Sequence, residues 1–334
     1  MSSTSSEIAL RIAPQHSTQY ADMAARLAVP ELLASPAGRH VRRAEPTLIG
    51  GHPYVLADVD TSPDALAPTL ARLGATSEAF EHHASIDGRG GPFLRPLGGA
   101  PPGPLPRELA ETRRYKGKTS EVFTRVLLNL AVFAGSHAEA PRLRVVDPLA
   151  GGGTTLFVAL AAGYDAFGLE QARRDVETTA SFVREFCREA RIPHRELRGG
   201  KGERRFTFEL GPRDDQRTLV IAQGDARHAD DELRTVPGGA RFHALVADLP
   251  YGIQHRADPT ALLAEALPAW ERLLVRGGAL ALAWDATRVP RDRVVAAVRD
   301  GCGLTVRDEP PYDGLAHRVD RVIRERDVVV ATRG

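Results

Sequence analysis

Three acidic residues follow buried, strand-like segments in the second half of the sequence. Asp147 closes the first of these segments, Glu170 closes the second, and Asp225 follows the third. If the three strands are parallel, their carboxyl ends meet at one edge of a sheet, where α/β proteins bind nucleotides. Acids also cap helices at such positions, so each residue alone is ambiguous. The ordered set of three indicates a ligand with amino and hydroxyl groups.

A glycine-rich turn begins directly at Asp147. It reads Asp147-Pro-Leu-Ala-Gly-Gly-Gly-Thr-Thr155. A phosphate-cradling P-loop needs a lysine that this turn lacks. A dinucleotide fingerprint needs a third glycine where Leu156 stands. S-adenosylmethionine carries an ammonium and a sulfonium group and no phosphate, so it suits a turn that starts with a carboxylate.

A second turn, Asp248-Leu-Pro-Tyr-Gly252, ends a later buried strand. An exocyclic amine on a nucleobase is a poor nucleophile because its lone pair is delocalised into the ring. Asp248 and a backbone carbonyl near Leu249 or Pro250 can accept its two hydrogen bonds and favour tetrahedral geometry. Tyr251 offers a stacking face for an extruded base, worth roughly 1–3 kcal/mol. Ordinary turns also use Pro and Gly, but the earlier glycine turn favours chemistry here.

Together the two turns resemble the motifs of class I S-adenosylmethionine-dependent amino-methyltransferases, over roughly residues 113 to 334. The first is similar to D-P-x-x-G-x-G-T-T and the second to [DNS]-P-P-[YF], with Leu249 in place of the first Pro. The motif order, with Tyr115-Lys-Gly-Lys-Thr119 first, resembles an RNA methylase family that includes THUMP-associated tRNA guanine-N2 methyltransferases. The trailing Gly252 favours that branch over DNA methyltransferases. The resemblance implies S-adenosylmethionine as cofactor and RNA, first of all tRNA, as substrate.

The strand-end pattern and the resemblance assign roles to individual residues. The predicted catalytic residues are Asp248, Leu249, Pro250 and Tyr251. The predicted cofactor-binding residues are Lys118, Thr119, Asp147, Pro148, Ala150, Gly151, Gly153, Thr154, Thr155, Glu170, Gln171, Asp225 and Ala226. No metal site is predicted, because the histidines show no ligand pairing with acids. Neither Cys187 nor Cys302 lies near the second turn, which disfavours C5-pyrimidine methylation.

The elements that must position these residues alternate between strands and helices after residue 107. This order predicts an α/β fold with a seven-stranded, doubly wound, Rossmann-like sheet. The predicted strands cover residues 144–147, 165–170, 218–223, 243–248, 279–284, 304–307 and 327–332. A hairpin is predicted in the basic insertion that follows residue 193, which is a candidate RNA contact.

A Pro/Gly-rich segment, residues 96–106, separates this region from the N-terminal part of the chain. Eight of its eleven residues are Gly or Pro, so neither a helix nor a strand ladder can persist through it. We therefore expect a linker at 96–106, a methyltransferase domain at 107–334 and a smaller α+β substrate-recognition domain at 1–95. Within the latter, the pattern predicts helices at 18–28 and 62–73 and a strand at 54–59.

Composition narrows the function classes. The 334 residues include 44 basic and 43 acidic ones, a net charge of +1, so any binding of a polyanion must be local. Two distant cysteines fit a reducing compartment, and no segment resembles a signal peptide or a membrane span, so we expect a cytoplasmic protein without membrane association. Three alternatives stay open: a DNA adenine-N6 or cytosine-N4 methyltransferase, a small-molecule or protein-amide N-methyltransferase, and a non-catalytic RNA-binding protein of the same fold.

Overall fold

The computed structural model describes residues 6–14, 18–99, 103–115, 117–197, 204–250, 259–319 and 324–334. The helices are α1 (Thr18–Ala34), α2 (Pro63–Leu70), α3 (Glu108–Glu111), α4 (Glu121–Ala134), α5 (Thr154–Ala161), α6 (Arg173–Glu189), α7 (Ala229–Glu232), α8 (Pro259–Leu273) and α9 (Arg291–Gly301). Over these ranges no helix is both long and apolar enough to cross a bilayer.

The strands form two sheets. They are β1 (Ser6–Ile12), β2 (Val41–Ile49), β3 (His52–Val59), β4 (Thr76–Ile86), β5 (Arg89–Pro96), β6 (Arg144–Asp147), β7 (Asp165–Glu170), β8 (His194–Leu197), β9 (Arg205–Leu210), β10 (Arg217–Gln223), β11 (Phe242–Asp248), β12 (Leu274–Asp285), β13 (Leu304–Arg307), β14 (His317–Arg318) and β15 (Glu325–Arg333). Strands β1 to β5 make the first sheet and the remaining strands make the second.

The first sheet is antiparallel throughout, in the order β2-β3-β1-β4-β5. Its first four strands and two helices follow the chain order β-α-β-β-α-β, which is the ferredoxin-like arrangement. The apolar residues of β1 alternate: Ile8, Leu10 and Ile12 belong to the buried core beneath the helices, as the two-residue period of a strand requires.

The second sheet has the order β13-β15-β12-β11-β6-β7-β10-β9-β8, with β14 paired to β15. Strands β6, β7, β10, β11 and β12 run parallel, while β15 is antiparallel to β12. The chain builds from β6 toward β10 on one side and then from β11 to β12 on the other. The fold is therefore α/β and Rossmann-like, with its topological switch point between β6 and β11.

This sheet has ten described strands where the sequence predicted seven. The hairpin β8–β9 adds two antiparallel strands beyond β10, and the two-residue β14 adds one beside β15. Because β10 would otherwise be an edge, the inserted hairpin supplies its missing hydrogen-bond partner.

Helices cover both faces of the second sheet. Val145 belongs to the same buried cluster as Leu156 of α5, whereas its neighbour Val146 belongs to a second cluster with Trp270 of α8. Alternation along each parallel strand thus fills two apolar layers, as expected for a sheet that is buried on both sides. The first cluster continues into the N-terminal sheet through Ile8 and neighbouring residues.

A buried carboxylate joins the two parts of the chain. Glu31 of α1 is fully buried, and it accepts hydrogen bonds from the backbone N–H groups of Gly74 and Ala75, each at 2.8 Å. The side-chain amide of Asn129 on α4 donates a third, at 2.7 Å. Burial raises the pKa of the Glu31 carboxyl, and these donors offset part of that effect.

Candidate active site

Two acids flank the switch point. Asp147 is the last residue of β6 and Asp248 is the last residue of β11, and these strands are neighbours in the sheet. Glu170 ends β7 on the other side of β6. Open α/β sheets bind ligands in the crevice at the carboxyl ends of such strands. The topology therefore brings together the acids that the sequence placed at strand ends.

Asp147 lies below the crevice rather than in it. It is 3% exposed, its Oδ1 accepts the N–H of Leu149 at 2.9 Å, and Thr155 donates a second hydrogen bond. Burial raises the pKa of the Asp147 carboxyl to about 7, and the nearby charges of Asp248 and Glu170 add to the increase. Among the described residues, the neighbours that affect this pKa include no cation, so a bound cation would favour the ionised carboxylate.

Glu170 holds the glycine turn. Its two carboxylate oxygens accept the backbone N–H groups of Gly151 at 2.9 Å and Ala172 at 2.7 Å. Gly151 and Gly153 have positive φ angles of 49° and 87°, a backbone conformation that glycine adopts at little cost. The predicted cofactor acid thus also fixes the conformation of the turn that precedes α5.

Close packing of the turn against the sheet depends on a glycine outside the turn. Leu156 stands where a dinucleotide fingerprint would have its third glycine, and the room for its side chain comes from Gly168 on β7. A Cβ atom on Gly168 would lie 2.6 Å from Cδ1 of Leu156 and 2.9 Å from Cβ of Ala150. The dinucleotide fingerprint allows close packing of helix and strand by placing a glycine on the helix. In this protein the glycine is on the strand, at Gly168.

Tyr115 packs on the outer side of the turn. A Cβ atom on Gly152 would lie 2.3–2.6 Å from three ring atoms of Tyr115, so ring and backbone are in direct contact. The Tyr115 hydroxyl is 2.6 Å from Oγ1 of Thr154. The Arg113 guanidinium lies 5.5 Å from the centre of the Tyr115 ring. The Tyr-Lys-Gly-Lys-Thr segment therefore supports the turn through its tyrosine.

A cavity of about 470 Å³ opens at the switch point. Eight of the predicted site residues line it: Pro148, Gly151, Glu170, Gln171, Asp225, Ala226, Asp248 and Pro250. Sequence reasoning missed six others: Leu149, Gly224, Arg227, Ala261, Leu262 and Glu265. The last three lie on one face of α8, and their only sequence signal is that α8 is the helix following the second turn.

Among the described residues, the charged lining of this cavity is mainly acidic. These residues supply four carboxylates, those of Glu170, Asp225, Asp248 and Glu265, and one guanidinium, that of Arg227. Such a lining repels a pyrophosphate and attracts a cationic ligand. An ammonium or sulfonium group together with ribose hydroxyls fits this donor and acceptor set.

Asp225 is already paired. Its carboxylate accepts hydrogen bonds from Nε of Arg227 at 3.0 Å and from Nη2, and Arg227 also reaches Glu265 at 3.1 Å. The Arg227 guanidinium lowers the pKa of the Asp225 carboxyl. A ligand amino group bound at Asp225 would therefore share the carboxylate oxygens with Arg227.

The side chains of two other predicted site residues do not line the cavity. Nζ of Lys118 is directed away from the cavity: it donates to the carbonyl of Ala110 at 2.7 Å and pairs with Glu121, because the end of α3 offers it free carbonyls. The Leu249 side chain is 1% exposed in the apolar core, so only its backbone can face a substrate. Tyr251 lies outside the described residues.

Asp248 also contacts two polar residues that do not line the cavity. Oγ1 of Thr119 donates to its Oδ2 at 2.7 Å, and Nη2 of Arg326 is 3.7 Å from the same oxygen. Thr119 was predicted to bind the cofactor, and in the structure its hydroxyl contacts Asp248, which was predicted to be catalytic. In the described part of the chain, no group of three or more His, Cys, Asp or Glu side chains could hold a metal ion.

No family model and no curated protein sequence matches the chain. Among solved structures it is similar to TrmN from Thermus thermophilus, with 17% identity over 88% of this chain and 60% of that chain and a TM-score of 0.41. It is also similar to a TehB-like SAM-dependent methyltransferase from Corynebacterium glutamicum, with 16% identity over 59% and 84% and a TM-score of 0.35.

A third similar structure is the aminoglycoside resistance methyltransferase NpmB1, with 20% identity over 57% of this chain and 87% of that chain and a TM-score of 0.37. The chain is thus similar to S-adenosylmethionine-dependent methyltransferases, and it spans less than two thirds of the length of TrmN.

Proposed function

We propose that the protein is an S-adenosylmethionine-dependent N-methyltransferase that acts on an exocyclic amine in RNA, with guanine N2 of tRNA as the first substrate to test. The observation that carries the proposal is the acid-lined cavity at the switch point, which Glu170 and Asp248 both line. The cofactor residues suit a cation with a ribose, and Asp248 suits an amine donor.

The cofactor would be held by the glycine turn and the strand-end acids. S-adenosylmethionine supplies an activated methyl group. Asp147 provides the negative charge beneath the crevice, and Glu170 keeps the turn open and offers its oxygens to ribose hydroxyls. The apolar side chains of Leu149 and Leu262 line the cavity and limit the access of water.

Asp248 would act on the acceptor nitrogen. Its carboxylate accepts one N–H of the amine, and a backbone carbonyl near Pro250 accepts the other, which directs the nitrogen lone pair out of the ring plane. Both interactions strengthen as the nitrogen becomes tetrahedral, so they lower the barrier. The carboxylate then takes up the proton that the nitrogen loses. Asp248 at the cavity lining and Pro250 beside it support this role.

The choice of RNA rests on the sequence of the second turn and its trailing Gly252. We propose that residues 1–95 select the substrate and that the segment 96–106 joins them to the catalytic part. The ferredoxin-like order of the first sheet is compatible with such a role. DNA, small molecules and protein amides are the alternative acceptors that the assay must discriminate.

Cofactor affinity should depend on pH through Asp147. Below about pH 7 the buried carboxyl is protonated, so a cation must displace that proton in order to bind; above it the carboxylate is already ionised. We expect the affinity for S-adenosylmethionine to rise by up to about tenfold per pH unit as the pH approaches 7 and to level off above it. Isothermal titration calorimetry between pH 5.5 and 8.5 measures this.

The matched control for this prediction is Asp147→Asn, which keeps the shape and removes the titration. The affinity of this variant for S-adenosylmethionine should be low at every pH in this range and should not rise with pH below 7. The same slope in this variant and in the wild-type protein would show that another group is responsible.

The proposed function is tested by transfer of a labelled methyl group from S-adenosylmethionine. The acceptors are total RNA and, separately, DNA from a strain that lacks the gene, and the products are identified by nucleoside mass spectrometry. Label in N2-methylguanosine from tRNA is the expected result. Label in DNA would show that DNA rather than RNA is the substrate. Binding of the cofactor without methyl transfer to RNA or DNA would overturn the proposal.

A further inference from the structure

We infer that Thr119 and Arg326 are positioning residues that hold the Asp248 carboxylate in one orientation toward the acceptor amine. The inference rests on the proposed function of Asp248. It adds two residues that lie outside both motif turns, one before α4 and one on β15. Both are directed at the same carboxylate oxygen, Oδ2.

Thr119 supplies a directional contact. Its hydroxyl donates to Oδ2 of Asp248 at 2.7 Å, which is the usual length of a strong O–H···O bond to a carboxylate. The next residue, Ser120, caps α4 by accepting the N–H of Phe123, so the backbone at Thr119 is fixed by the start of a buried helix. A rigid donor of this kind restricts rotation of the carboxylate about its χ angles.

Arg326 supplies charge from a fixed place. Its side chain is 5% exposed, and Nη2 is 3.7 Å from Oδ2, an ion-pair distance rather than a hydrogen bond. The guanidinium also lies 4.5 Å from the centre of the Phe123 ring. The centre of that ring is in turn 5.0 Å from the centre of the buried His317 ring. Arg326 is thus held by aromatic packing and is poorly hydrated, so its charge acts strongly on Asp248.

Arg326 also offsets a charge repulsion between two carboxylates of the site. Asp147 and Asp248 stand at adjacent strand ends and their charges interact. A cation beside Asp248 opposes this repulsion and keeps the carboxylate from turning toward solvent. A carboxylate that is oriented before the substrate arrives costs little reorganisation during the reaction.

The first test measures orientation without any need for turnover. In protein with ¹³C,¹⁵N-labelled aspartate, three-bond scalar couplings report the χ1 rotamer of Asp248, which is assigned by loss of its signal in Asp248→Asn. We expect one rotamer in the wild-type protein and averaged couplings in Thr119→Val and Arg326→Met. Thr119→Ser and Arg326→Lys, which keep the hydroxyl and the charge, should restore the single rotamer.

The second test measures catalysis. Thr119→Val should lower kcat about tenfold and Arg326→Met about 100-fold, the equivalents of losing hydrogen-bond and charge interactions in the transition state. The affinity for S-adenosylmethionine should stay within about twofold, because neither side chain lines the cavity. In an Asp248→Asn background, neither substitution should lower kcat further, since both act through that carboxylate.

Controls separate positioning from general destabilisation. Thr305→Val and Arg324→Met remove the same groups from exposed positions and should change neither rotamer nor kcat. A single Asp248 rotamer retained in both Thr119→Val and Arg326→Met overturns the inference, whatever the activity. Averaged couplings in those variants together with a wild-type protein that transfers no methyl group would uphold the positioning and overturn the proposed function alone.

Discussion

Asp248→Asn is expected to lower the rate of methyl transfer by about 10²–10⁴-fold, the range associated with loss of a positioned proton acceptor. The substitution keeps the shape of the side chain but replaces one carboxylate oxygen with a hydrogen-bond donor, which opposes an amine N–H. It leaves the glycine turn untouched, because that turn is held by Glu170. Single-turnover kinetics with saturating S-adenosylmethionine measure the chemical step.

The accompanying result is that the Asp248→Asn protein still binds the cofactor. Its dissociation constant should stay within a few-fold of the wild-type value, measured by calorimetry. Asp292→Asn, at an exposed position in the first turn of α9, serves as the matched control and should be as active as wild type. An Asp248→Asn protein with normal kcat would remove this residue from the mechanism.

Gly168→Ala is expected to weaken both the stability of the fold and the binding of the cofactor, although Gly168 does not line the cavity. The added Cβ would lie 2.6 Å from Leu156 and 2.9 Å from Ala150, so α5 and the glycine turn must move away from β7. Overpacking of this kind costs about 1–3 kcal/mol of unfolding free energy. Because the turn contributes the backbone of Gly151 to the cavity, we also expect at least about tenfold weaker cofactor binding.

Urea unfolding and calorimetry on the same protein test both parts of this expectation. Gly90→Ala is the control, because a Cβ atom on Gly90 meets no atom within 4 Å. Unchanged stability together with unchanged cofactor affinity in Gly168→Ala would mean that the packing of α5 on β7 adapts without cost.

The parallel strands of the second sheet were predictable because each is a short apolar run between turn signals. The observed bounds of the parallel strands β6 and β7 coincide with the predicted ones, and so do those of the antiparallel strand β13. The strand predicted at 279–284 is longer, because β12 begins at Leu274 directly after α8. The local sequence gives no signal for this direct change from helix to strand. The start of β12 is set by its pairing with β11.

The N-terminal sheet was mostly not predictable. Only β3 among its five strands was anticipated. Strands β2 and β4 are rich in exposed polar residues, β5 contains two Gly and two Pro, and β1 lies in a segment without clear turn signals. Their strand character comes from pairing in the sheet, which local propensity does not encode.

Within the site, residue types near the motifs were predictable and long-range partners were not. The acids at Asp147, Glu170 and Asp248 were found because strand ends and turns have local signatures. Arg326 is 78 residues beyond Asp248 along the chain, and no spacing rule connects the two. Lys118 was assigned by its motif, but the carbonyls at the end of α3 compete for its ammonium group.

The buried Glu31 limits how far the two parts of the chain can be treated as exchangeable modules. Its carboxylate is satisfied by Gly74 and Ala75 from the N-terminal part and by Asn129 from the catalytic part. A foreign N-terminal part grafted before residue 107 would leave Asn129 facing whatever replaced Glu31. Recombination at the Pro/Gly-rich segment, which looks like the natural joint, would therefore break a buried contact elsewhere, and Glu31 and Asn129 must be inherited together.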